Sequence, residues 1–129
     1  MDDRASRGSL VWIISTEQWP RAILRAELIE HGFDAVGYLT LDEALVELPR
    51  RLSRKPQIII LDLSGQEITR ARLFALVREA IPIVILGGAV EVGDPLIGEF
   101  SWAGILKRPF MIREIIALVD QLVRRTSHA

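Results

Sequence analysis

The residues Pro56-Gln57-Ile58-Ile59-Ile60-Leu61-Asp62-Leu63 decide the fold. Gln57 to Leu61 is a nearly continuous apolar run, the pattern of a strand buried on both faces in a parallel sheet that helices cover. Outward from it, similar runs stand at Ser9 to Ser15, Ala35 to Leu39, Ile83 to Leu86 and Gly104 to Leu106, which predicts five strands. Between them the period becomes helical, over Glu17 to His31, Leu41 to Leu52 and Gln66 to Glu79, and a last helix covers Ile112 to Arg125. In that last segment Ile112, Ile115, Ile116, Val119, Leu122 and Val123 share one stripe, and Arg113, Glu114, Asp120, Arg124 and Arg125 lie away from it. Thr16 is positioned to cap the first helix, Pro20 is tolerated in its first turn, and Gly32 falls where a left-handed residue ends a helix. Ala89 to Trp102 differs, because Gly93, Pro95 and Gly98 oppose a regular helix, and a short or irregular fourth helix is predicted there.

Strands alternating with helices through right-handed crossovers give an α/β fold, a doubly wound five-stranded parallel sheet of order 2-1-3-4-5, flavodoxin-like. No repeat, linker or low-complexity tract interrupts the pattern, so residues 1–129 read as a single domain with an ordered core of about 9–125. In such sheets the working site lies beyond the carboxyl ends of the strands, where the order reverses. That edge carries Ser15, Thr16 and Glu17 after the first strand, Asp62 after the third, Gly87 and Gly88 after the fourth, and Lys107, Arg108, Pro109 and Phe110 at the fifth.

Composition excludes several classes. Sixteen basic residues against 17 acidic ones leave no strong field to draw nucleic acid or an anionic membrane. Without cysteine there is no disulfide framework, thiolate metal site or cysteine nucleophile. The run Leu10 to Ile14 is too short and wrongly flanked for a secretory signal, and no apolar stretch approaches the ~20 residues needed to cross a bilayer. A cytoplasmic protein is expected.

The landmarks at the edge and around it resemble a known family: Gly32-Phe33 after the first helix, Ala44-Leu45 in the second, Pro56 to Leu63 through the third strand, Ile81-Pro82-Ile83-Val84 opening the fourth, and Arg108-Pro109-Phe110 before the last helix. In order and spacing they resemble the receiver domains of bacterial two-component response regulators, over roughly residues 9 to 125. The resemblance implies phosphoryl transfer onto a carboxylate at the end of the third strand, where Asp62 stands. It also implies an acidic pair after the first strand to hold magnesium, since a small hard cation needs oxygen ligands and neutralises the incoming phosphoryl charge. Here that pair is replaced by Ser15 and Thr16, hydroxyls that are poor substitutes for two anions, so no magnesium or other metal is expected. Glu17 is read as favouring the helix N-terminus by its charge.

The other family positions depart as well. Gly87 stands where a phosphoryl-binding Ser or Thr is usual, Ile105 where an aromatic switch residue is usual, and Arg108, with Lys107 one earlier, where a lysine is usual. Side-chain alternation turns Lys107 outward if Arg108 points in. The loop Leu63-Ser64-Gly65-Gln66 lacks the family's Met-Pro and Asp-Gly landmarks. For Asp62 two readings stand, phosphoacceptor or a carboxylate retained for its hydrogen bonds, and the second is favoured because a nucleophile without its metal meets an anion unaided. Arg108, always charged and longer than lysine, has the reach to form a fixed pair with Asp62. The residues leave that pair open.

Elsewhere the bland readings prevail. Gly87-Gly88 is read as close backbone packing rather than a phosphate cradle, and His31 and His128 as no metal site. Trp12 is assigned to the core, and Trp19 and Trp102 to the surface. Arg50, Arg51, Arg54 and Lys55 read as a solvated helix end. The expected function is therefore an atypical, non-enzymatic receiver-like signalling domain without an output domain, acting through protein contacts such as a histidine kinase or another signalling protein. A homodimer through the face of the fourth helix segment, fifth strand and last helix, with Phe100 and Trp102 on it, is the expected self-contact, with no nucleic acid or membrane partner. The alternatives are a working phosphoacceptor that uses Asp62 with a poor metal site, and a small-ligand-binding flavodoxin-like module.

Overall fold

Three central strands carry no exposed residue because both of their faces are covered. These are β1 (Leu10–Ile14), β3 (Ile58–Asp62) and β4 (Ile83–Gly87), each buried along its whole length. The edges are β2 (Asp34–Tyr38) and β5 (Gly104–Lys107), which alternate or lie open to solvent. All pairs are parallel and the order is β2-β1-β3-β4-β5, as expected for the doubly wound fold. The computed structural model describes residues 8–50 and 54–127. Arg51, Leu52 and His128, named above, lie outside the described residues.

The helices divide between the faces. α1 (Gln18–Glu30) and α6 (Ile112–Ser127) cover one face, where Leu24 and Leu28 meet Ile115, Ile116, Val119, Leu122 and Val123 over Val11, Ile13, Ile58 and Ile60. α2 (Leu41–Glu47) and α3 (Arg70–Val77) cover the other over Trp12, Ile14, Ile59, Leu61 and Ile85. Trp12 is core as expected, stacked obliquely on Tyr38 with ring centroids 4.6 Å apart. Trp19 stands out in solvent, 74% exposed.

Local chemistry moves several boundaries. Thr16 does not cap α1, whose N-cap is Glu17 without a side-chain bond, because the Thr16 hydroxyl instead donates to the Ser64 carbonyl at 3.0 Å. Gly32 does close α1, at φ +93°. α2 opens on a reciprocal cap between Thr40 and Glu43 and its regular part ends at Glu47, before Pro49. α3 begins at Arg70, not Gln66, because Thr69 caps it while the Gln66 amide bridges the Leu41 N–H and the Leu39 carbonyl. The fourth helical segment is two single turns, α4 (Ala89–Val92) and α5 (Pro95–Gly98), divided at Gly93 and Asp94. Among the described residues no helix is long and apolar enough to cross a membrane.

Candidate functional site

Parallel strands deliver their carboxyl ends to one edge, and four loops meet there around Asp62. Asp62 ends β3 almost wholly buried, with 3% of its side chain exposed. A carboxylate there requires donors. The Ser64 N–H donates to Oδ1 at 3.1 Å, the Ser15 hydroxyl approaches Oδ2 at 3.4 Å, and the Arg108 Nη2 donates to the same Oδ2 at 2.9 Å. The pair left open by the residues is thus formed. Arg108 leaves β5 at a backbone bond from its N–H to the Gly87 carbonyl, 2.9 Å, just before a cis peptide to Pro109. Its guanidinium lies over the Phe110 ring, 5.1 Å from the centroid, and donates by Nη1 to the Ser64 hydroxyl at 3.3 Å. Lys107, one residue earlier, is exposed.

The hydrogen bond to Asp62, against the opposing effect of burial, holds the Arg108 guanidinium above its ordinary range, and the charges of Asp62, Glu17 and Glu91 add to that. Glu91 was not marked by the sequence reading. Its Oε1 accepts the Gly88 N–H at 2.7 Å and the Ser64 hydroxyl at 3.3 Å. The signal was present, since a Glu three residues after a helix N-cap reaches back to the N-cap amide. Arg21 was also missed: it lies across Gly37 on β2 and donates to the Ser15 carbonyl at 2.7 Å, fixing the end of β1.

The remaining marked positions lie as follows. Gly87 is buried, and a Cβ there would stand 3.2 Å from Val92 Cγ2 and 3.4 Å from Glu91 Oε1, the close packing that α4 needs. Ile105 is exposed on β5. Phe100 and Trp102 are half-buried rather than free on the surface: both pack on the core, and the Trp102 indole N–H donates to the Ile97 carbonyl at 2.9 Å. His31 bonds the Glu27 carbonyl. In the basic cluster Arg50 pairs with Glu47, Arg54 with Asp34 and the Gly8 carbonyl, and Lys55 with Glu79 and the Leu48 carbonyl, so these charges are spent locally.

Magnesium does not suit this donor set. Its one buried carboxylate already holds a guanidinium, its neighbours are hydroxyls, and among the described residues no buried side-chain nitrogen or oxygen lacks a partner and no cluster of metal-ligating side chains forms. An apolar cleft of about 530 Å³ runs from the Asp62–Arg108 pair between Pro20 and Leu24 on one side and Phe110, Ile112 and Ile115 on the other.

No family model matches the sequence, and no curated protein does. Solved structures do. The receiver domain of Francisella response regulator 1452 superposes with a TM-score of 0.76 at 21% identity, over 92% of this chain and 99% of that one. The chain has the receiver fold. A response regulator receiver protein from Pseudomonas putida matches with a TM-score of 0.73 at 23% identity, over 90% and 98% of the two chains. A receiver domain from Clostridium thermocellum reaches 0.77 at 13% identity, over 92% and 97%. At the carboxyl edge of that fold, Asp62 is held by an arginine, a serine hydroxyl and a backbone amide.

Proposed function

We propose that this chain is a receiver-fold signalling domain that works by protein contact, not as an enzyme, and without magnesium-dependent phosphorylation of Asp62. One observation carries the reading: the Arg108 guanidinium bonds Asp62 Oδ2 at 2.9 Å while the Ser64 N–H bonds Oδ1 at 3.1 Å, so both oxygens that a metal or an incoming phosphoryl group could approach are already engaged. An anion arriving there meets Asp62, Glu17 and Glu91 with a single guanidinium to offset them. The partner is a cytoplasmic signalling protein, a histidine kinase or a second copy of the chain, meeting the face of α4, β5 and α6. Val90, 89% exposed, and Ile105, 45% exposed, offer the free apolar surface of that face, and Phe100 and Trp102 are half-buried against the core. The balance of 16 basic against 17 acidic residues gives no strong field to draw nucleic acid.

The test is the intact mass of wild type and Asp62→Asn after incubation with acetyl phosphate and magnesium, with a conventional receiver as positive control. No phosphoryl-sized gain is expected. A gain on wild type that Asp62→Asn lacks overturns the reading and makes the chain a working phosphoacceptor. A second reading, a small-ligand module, is favoured only by the apolar cleft beside Phe110. Melting shifts across a panel of small aromatic and aliphatic ligands separate it from the first.

A further inference from the structure

β2 is the sheet edge opposite β5, and among the described residues it has one neighbour, β1. The Asp34 N–H donates to the Ser9 carbonyl and the Tyr38 carbonyl accepts the Ser15 N–H, so every second residue of β2 bonds β1 and the main-chain groups of Ala35 and Gly37 face outward. α1 packs along this edge with Arg21, Arg25 and Ile29 at successive turns. Arg25 Nε donates to the outward Ala35 carbonyl at 3.0 Å, and the Arg21 stem lies over Gly37 while its Nη1 donates to the Ser15 carbonyl at 2.7 Å. Both guanidiniums are thus spent on carbonyls, and among the described residues neither has a carboxylate partner. A groove of about 500 Å³ follows the edge, with Arg25 and Ile29 on the α1 side and Leu10, Trp12, Val36 and Tyr38 on the other. Val36 and Ile29 are exposed in it, and at its start Asp34 is already paired with Arg54. Beyond Gly37 the α2 side turns acidic, where Glu43 and Glu47 line the continuation of the groove.

We propose that this edge is a second protein-docking surface, which takes an extended peptide of alternating acidic and apolar residues as a sixth strand beside β2. Strand addition uses the outward N–H and C=O groups of Ala35 and Gly37, and the side chains of the added strand then alternate between the two faces of the sheet. Those opposite Ala35 and Gly37 project toward α1, where carboxylates supply Arg25 and Arg21 with the counter-ions they lack. Those between project to the side of Val36 and Trp12, where a carboxylate would meet apolar surface and the charges of Glu43 and Glu47, so that side calls for valine-like residues. Arg25 decides entry. Its bond to the Ala35 carbonyl blunts the edge against an uncharged strand, and a carboxylate that draws the guanidinium away frees that carbonyl for the incoming N–H. A second copy of the chain is a poorer occupant, because pairing β2 antiparallel with β2 sets the arginines of two α1 helices side by side. The surface lies at the far edge of the sheet from β5, and it is independent of what meets the face of α4, β5 and α6.

Fluorescence anisotropy of the full chain with a labelled hexapeptide of alternating glutamate and valine reads the outcome. Wild type should bind this peptide, and a lysine–valine peptide of the same length should not bind. Affinity should fall about tenfold in Arg25→Ala, an exposed position whose melting curve confirms the fold, and by as much in Val36→Asp, which sets a charge on the apolar side. N-methylating the peptide at its glutamates or at its valines removes one row of N–H groups at a time. Loss of binding in the glutamate version marks an antiparallel added strand, and loss in the valine version a parallel one. In nuclear magnetic resonance, saturating peptide should slow exchange of the Ala35 and Gly37 amides by about tenfold and leave the Ile105 amide on β5 unchanged. The proposal is overturned if wild type does not bind the glutamate–valine peptide, if the lysine–valine peptide binds as well, if neither N-methylated version loses binding, or if the two amides exchange as before. A concentration-dependent dimer in sedimentation that protects the same two amides overturns it as well, since a second copy is then the occupant.

Discussion

Arg108 crosses from the end of β5 over β4 to place Nη2 2.9 Å from Oδ2 of Asp62 at the end of β3. Asp62 keeps 3% of its side chain in solvent and Arg108 35%, so the carboxylate depends on the pair more than the guanidinium does. Removing the cation alone leaves a buried charge held by one amide and one distant hydroxyl. Arg108→Met should lower stability by about 3 kcal/mol, the low end for breaking a buried pair because a third of Arg108 is solvated. Asp62→Asn added to it should recover most of that loss. Denaturant unfolding of the two variants and wild type decides, and equal losses in both would show that packing of the arginine stem, not charge, is what matters.

Gly87 and Val92 are the second tight relationship. A serine at 87, as receivers usually carry, would bring its Cβ to 3.2 Å from Val92 Cγ2, closer than side chains normally tolerate. Gly87→Ser should cost about 1 kcal/mol and lift α4, seen as faster exchange of the Gly88 amide. Val92→Ala in the same chain should relieve the crowding. The idea fails if Gly87→Ser is as stable as wild type with its Gly88 amide equally protected.

The sheet was legible because burial on both faces writes an apolar run directly into Ile58 to Leu61 and its counterparts, whatever the rest of the chain does. The start of α3 was not. Gln66 belongs to a helical pattern by sequence, but its amide is held by Leu39 and Leu41, on a distant part of the chain, and local periodicity cannot register such a bond. Asp62 was legible as a carboxylate at a strand end that accepts hydrogen bonds, because the apolar run before it fixes where β3 stops. The Arg108 pair was only within reach by sequence, since its formation depends on how the β5 terminus aims the side chain. Glu91 carried only its capping spacing and Ser64 only its place in a loop, because the contact between them exists only where the loops after β3 and β4 meet.

α2 and α3 are tied by Asp42 and Arg72, whose Oδ1 and Nε lie 2.7 Å apart, with a second bond of 2.9 Å beside it. The hydrogen bond from Arg72 holds the Asp42 carboxyl below its ordinary range. A carboxylate lowered in the folded chain adds stability above its unfolded value, about 3.9, and loses it as pH falls through the lower folded value. Asp42→Asn should therefore lower Tm slightly at pH 7, and the gap from wild type should narrow as pH falls below the unfolded value and close once Asp42 is protonated in the folded chain. The pair is exposed, so the effect is small and should shrink in high salt. Melting curves at several pH values check it, and a gap that stays constant down to pH 2 would rule out charge as its source.

Gly65 turns the chain after Asp62 at φ +72°, and a Cβ there would lie 2.7 Å from the Thr16 hydroxyl, which is fixed by its bond to the Ser64 carbonyl. Two separate costs meet in Gly65→Ala. The left-handed backbone charges any side chain about 1 kcal/mol, independent of neighbours. The collision with Thr16 adds about another 1 kcal/mol and disappears when the hydroxyl does. Thr16→Ala alone should cost about 1 kcal/mol for its lost hydrogen bond. Gly65→Ala should thus destabilise wild type by about 2 kcal/mol and the Thr16→Ala chain by about 1 kcal/mol. A complete double-mutant cycle by denaturant unfolding measures the difference, and strict additivity would mean that Thr16 gives way freely and does not hold the loop that positions Ser64 beneath Arg108.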